Sequence, residues 1–100
     1  MLVHQLYSGT PSGSTTGTTT ALNVQSTRTG LVQVIQSAAD TNNATLDVEG
    51  SLDGGTTWVS LHTFTTVSTS EAAVVTLFPR MRVKFSAITN TPTVKVLIGE

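Results

Sequence analysis

An all-β chain, folded as an antiparallel β-sandwich of jelly-roll or immunoglobulin-like type with about eight strands, is predicted by three observations. Threonine makes up about a fifth of the 100 residues and valine is frequent. Both are β-branched and favour strands. Apolar and polar residues alternate in short runs, and clusters of Gly, Pro, Asn and Asp separate the runs at regular spacing. No segment of useful length has the 3.6-residue period of an amphipathic helix.

The runs follow in order. Leu2 to Tyr7 reads as a first strand, with Leu2, His4 and Leu6 opposed to Val3, Gln5 and Tyr7. Residues 8–19 are a low-complexity Gly/Ser/Thr arm with one proline, a composition that is flexible in isolation. It needs a holder to be ordered, and a neighbouring subunit is preferred over its own domain. Thr20 to Gln25 is a second strand with Leu22 and Val24 inward. Arg28-Thr29-Gly30 reads as a turn. Leu31 to Gln36 is apolar on both faces, as a central strand would be. Asp40-Thr41-Asn42-Asn43 is rich in turn formers. Ala44 to Leu52 is a long strand, with Leu46, Val48 and Leu52 facing one way and Thr45, Asp47, Glu49 and Ser51 the other. Thr57 to Phe64 returns, and Val67 to Glu71 connects it to the apolar run Ala72 to Phe78. After Pro79-Arg80, Met81, Val83 and Phe85 alternate with Arg82, Lys84 and Ser86. Asn90-Thr91-Pro92 turns the chain into Val94, Val96 and Ile98, with Lys95 outward.

Length bounds the chain to one domain, residues 1–100, in which 1–20 form a strand plus the polar arm. It contains no cysteine, so disulfides and thiolate metal sites are excluded. A net charge of -1 offers no basic face for nucleic acid and no polybasic membrane patch. No run has the length of a membrane-spanning helix, and no basic start followed by an apolar core marks a secretory leader. Charged residues are only 11% of the chain, where about a quarter is usual. A surface so poor in charge gives little repulsion between edge strands, so much of it is expected to be covered by neighbours.

Searches for chemistry find little. Ser60 and His62 share a strand face, but a nucleophile–base pair also needs an orienting group and an oxyanion site, and neither is indicated. Asp47 and Glu49 share a face as well, whereas a glycosidase places its two carboxyls across a cleft. Arg80, Arg82 and Lys84 form the one basic cluster; they either pair with a neighbour's acids or solubilise the strand. Asn43-Ala44-Thr45 matches the glycosylation triplet with no secretion signal to support it. No catalytic residue, cofactor site or metal site is assigned, and no enzyme activity is expected. A sugar-binding face needs exposed aromatic rings, and most of Tyr7, Trp58, Phe64, Phe78 and Phe85 are required by the core.

The most specific segment is Ser51-Leu52-Asp53-Gly54-Gly55-Thr56-Thr57-Trp58, a hairpin corner. Gly54 and Gly55 tolerate the positive φ of a tight turn. The Asp53 carboxylate is placed to accept hydrogen bonds from turn N–H groups. Trp58 opens the return strand and is expected to bury its ring. A cation at Asp53, helped by Asp47 and Glu49, is the alternative and needs several converging oxygens. The S-x-D-x-G-x-T-W pattern resembles the Asp-box, a structural corner repeated in sialidase-type propellers and found singly elsewhere; 100 residues cannot supply a propeller.

From Leu46 to Ile98 the chain resembles small bacteriophage virion structural proteins. The likeness lies in Val48-Glu49-Gly50-Ser51-Leu52-Asp53-Gly54-Gly55-Thr56-Thr57-Trp58, the Thr/Ser-rich middle, Arg80-Met81-Arg82-Val83-Lys84-Phe85 and the Thr/Val end. It covers about half the chain; residues 1–45 are not matched. The resemblance implies a virion location, after assembly in the host cytoplasm, and a capsid decoration (cement) role. The partners it implies are the major capsid protein or other virion proteins, further copies of the chain in a homo-oligomer, no nucleic acid and no membrane. The Leu2–Thr20 arm is expected to augment a neighbour's sheet. A tail, neck or fibre component is the near alternative and a carbohydrate-binding module the distant one.

Overall fold

Eight strands and no helix make up the computed structural model, which describes residues 1–37 and 41–100. The strands are β1 (Val3–Gly9), β2 (Thr20–Ala21), β3 (Thr29–Gln36), β4 (Asn43–Ser51), β5 (Val59–Val67), β6 (Glu71–Thr76), β7 (Arg80–Thr89) and β8 (Val94–Gly99). They form two four-stranded sheets, ordered β1-β8-β3-β6 (sheet A) and β2-β7-β4-β5 (sheet B). Every pairing is antiparallel.

Four of the pairs nest inside one another: β4 with β5, β3 with β6, β2 with β7 and β1 with β8. The chain is thus one long antiparallel hairpin, rolled until β8 meets β3 and β7 meets β4. That is a jelly roll, and it removes the immunoglobulin-like alternative, in which consecutive strands are distributed differently. The tip of the rolled hairpin is the Asp53 corner.

The core lies between the sheets. Sheet A contributes Leu6, Val32, Val34, Val75, Val94, Val96 and Ile98, and sheet B contributes Leu46, Val48, Phe64, Met81, Val83 and Phe85, all buried. This is the alternation expected for β4, β7 and β8. Phe85 spans the layers to Tyr7, ring edge to face with centroids 4.9 Å apart.

Several local expectations are corrected. A bulge between Gln5 and Tyr7 turns both Leu6 and Tyr7 toward the core, so strict alternation fails in β1. β3 begins at Thr29, where a turn was expected. Gly30 lies within β3 because a side chain would meet the Gly99 carbonyl and Leu77. Leu52 is 78% exposed: the strand ends at Ser51 and the alternation does not continue past it. Of the turn expected at 40–43, Asp40 lies outside the described residues, and Asn43 already belongs to β4.

The polar arm is bonded to its own domain. The Gly17 N–H donates to the Val83 carbonyl at 2.7 Å, and the Phe85 N–H donates to the Thr15 carbonyl at 2.8 Å. Thr16 thereby bridges to Lys84, and Pro11 is buried. The arm extends the short β2 along the free side of β7. β1 pairs with β8 on one side and forms an edge of its sheet.

Candidate functional site

The corner is built as the motif requires. Asp53 Oδ1 accepts the Ser51 hydroxyl at 2.7 Å, the Thr57 N–H at 2.8 Å and the Thr56 N–H at 3.1 Å. The Ser51 hydroxyl in turn accepts the Gly55 N–H at 3.0 Å. Gly54 and Gly55 take φ of 79° and 101°. Trp58 Nε1 donates to the Gly55 carbonyl at 2.9 Å. Contrary to expectation the Trp58 ring is only half-buried: it lies over sheet B, with the Arg82 guanidinium 4.1 Å from its centroid.

These bonds favour the ionised form of Asp53. They lower its carboxyl from 3.8 to about 2, chiefly through the Thr57 N–H, then the Ser51 and Thr57 hydroxyls, with a smaller share from the Thr56 N–H. A depressed carboxyl stabilises the fold above its unfolded value, and that contribution is lost as pH falls from about 4 through about 2. Asp53→Asn is therefore expected to melt below the native chain at neutral pH. The gap in Tm should close as pH falls from 4 to 2, as followed by circular dichroism.

The outer face of sheet B is charged and internally paired. Register places Asp47 between Thr63 and Lys84, and Glu49 between Ser60 and Arg82. Glu49 accepts Arg82 Nε at 2.7 Å, and Asp47 accepts the Thr63 hydroxyl at 2.6 Å. The two carboxylates are thus cross-strand partners of cations and hydroxyls on one face. Of the basic cluster, Arg82 is paired within the chain, while Arg80 donates to the neighbouring Pro79 carbonyl at 3.2 Å. His62 stands opposite Val48 and stacks edge to face on Phe64, with centroids 4.6 Å apart, whereas Ser60 stands opposite Glu49. Among the described residues no three His, Asp or Glu side chains gather as a metal site would require.

A further cluster carried no sequence signal. The Glu100 carboxylate, almost wholly buried, meets His4 Nε2 with one oxygen and Arg28 at 2.5 Å with the other. Arg28 also donates to the Asn23 carbonyl at 2.9 Å. These groups come from distant parts of the chain and meet because β8 lies between β1 and β3. They fasten the approach to β3 to the far end of β8, a structural clamp.

The outer face of sheet A is of another kind. Register aligns Val3, Gly99, Leu31 and Val74 in one row across all four strands, and Gln5, Leu97, Gln33 and Ala72 in the next. Lys95 and Ile35 follow beyond. Val3, Leu31 and Val74 are exposed, and the Met1 thioether lies over Gly99. Among the described residues of these rows Lys95 carries the one charge. A smaller apolar spot lies at the corner, where Leu52, Val59 and Phe78 line a shallow hollow of about 210 Å³.

Comparison with protein-family models, with curated proteins and with solved structures found no match. The chemistry of the two faces is therefore what bears on function.

Proposed function

We propose that this chain is a bacteriophage virion structural protein, a capsid decoration subunit that adheres to the major capsid protein or another virion protein through the outer face of sheet A. The observation that carries the proposal is the contrast between the faces. Sheet B sets Asp47 and Glu49 in register with Lys84 and Arg82, with Glu49 paired to Arg82 and Asp47 bonded to the Thr63 hydroxyl, as a solvated surface does. The outer face of sheet A presents Val3, Leu31, Val74 and Leu97, with Lys95 the one charge among the described residues of its rows, the composition of a face that is covered in use.

Size explains how such a face would act. Four strands about 4.8 Å apart and seven residues at about 3.3 Å each give roughly 450 Å², against the roughly 800 Å² per partner of a standard interface. One contact is weak, and many copies on a symmetric lattice hold by avidity. The same adhesion would suit a tail, neck or fibre component. Copies per particle separate the two readings: hundreds indicate the head, a dozen or fewer the tail. The sugar-binding alternative has less support, because Tyr7 and Phe64 pack in or against the core and Arg82 covers one face of Trp58.

Leu31→Lys is the direct test. Leu31 is 43% exposed, so the change in stability should stay within about 0.5 kcal/mol. Binding to particles stripped of the protein should fall at least tenfold, scored by co-sedimentation. Unchanged binding would remove sheet A from the account.

A further inference from the structure

The sandwich has four sheet edges, and three carry a device that discourages pairing with another chain. β1 is bulged between Gln5 and Tyr7 and ends at Gly9 with φ of 148°. β2 is two residues long, and the polar arm continues along its line. β5 meets β4 with two register shifts and bends at Thr66, a non-glycine residue with φ of 51°. β6 has none of these. It pairs with β3 in unbroken register from Thr29↔Thr76 to Val34↔Glu71. Its sequence, Glu-Ala-Ala-Val-Val-Thr, contains no proline or lysine. Its other side is open, because β6 ends the order β1-β8-β3-β6.

We infer that β6 pairs antiparallel with β6 of a second copy of this chain, joining two sheets A into one eight-stranded sheet. Residues directly opposite in an antiparallel pair share a face, so the two-fold axis must pass between the two copies of a single residue. An axis at Val74 sets Val74 against its own copy on the outer face and Ala73 against Val75 on the inner face. It sets Glu71 opposite Leu77, so no like charges meet. The outer row Val3–Gly99–Leu31–Val74 then runs on into its own image, doubling the length of the apolar face. A second copy fits better than a foreign strand because this register sets small and branched apolar residues against one another and brings no like charges together.

A charge swap at Val74 tests the pairing without particles, so its outcome is separable from that of the adhesion proposal. Val74 is 67% exposed on an edge, so both variants should fold. The native chain is expected to sediment at twice 10.5 kDa as concentration rises. Val74→Lys and Val74→Glu should each remain at 10.5 kDa alone, and an equimolar mixture should recover the doubled mass. A native chain that stays single up to about 1 mM, where even a 4 kcal/mol association would show, overturns the inference. So do single variants that pair as the native chain does, and a mixture that fails to pair.

Discussion

Phe85→Ala should cost about 3–5 kcal/mol of folding stability, a large fraction of the roughly 5–15 kcal/mol a domain of this size holds. Phe85 is 1% exposed, at the middle of β7 and in edge-to-face contact with Tyr7 on the opposite layer. Its own N–H holds the arm through the Thr15 carbonyl. Truncation leaves a cavity where sheet A, sheet B and the arm converge. Strands on both sides cannot close over it without breaking ladder bonds. Urea denaturation measures the loss. A cost under about 1 kcal/mol would mean that the site collapses freely and that the two layers are not locked there.

Gly30→Ala should destabilise by about 1–3 kcal/mol although it adds one methyl group. A Cβ on Gly30 would lie 2.5 Å from the Gly99 carbonyl oxygen and 2.6 Å from Leu77 Cδ2. Leu77 can rotate, but the carbonyl belongs to the β3–β8 ladder and yields only if the strands part. That ladder closes the roll, so the strain falls on the pairing that seals the centre of sheet A. Gly13→Ala is the control: nothing lies within 4 Å of that position, and the change should be neutral or stabilise by a few tenths of a kcal/mol through the unfolded chain. Equal effects at the two positions would contradict the close approach.

What the sequence discloses of this fold is periodicity and corner chemistry. Met81, Val83 and Phe85, like Val94, Val96 and Ile98, alternate cleanly because β7 and β8 are central strands, and burial enforces register there. The Asp53 corner is legible because Ser51, Asp53, the two glycines and Trp58 satisfy one another within eight residues. What escapes depends on distant partners. The bulge in β1 places Leu6 and Tyr7 on the same side, and its register is set against β8 across the whole chain. Gly30 reads as a turn residue, since nothing local announces the Gly99 carbonyl. The arm looks flexible because its bonds go to Val83 and Phe85.

The candidate faces divide in the same way. That Asp47 and Glu49 share a face, and that Arg82 and Lys84 do, follows from alternation. That these two pairs meet follows only from the β4–β7 register. The row Val3–Gly99–Leu31–Val74 draws one residue from each of four strands and has no sequence pattern of its own.

Hydroxyl-radical footprinting of the chain, free and bound to its particle, addresses the adhesive face most directly, since it reports side chains and so separates the two sides of a sheet. The account predicts that Val3, Leu31 and Leu97 become protected on binding, while Trp58 and Leu52 keep their reactivity. Protection of Trp58 with Leu31 still reactive would contradict it.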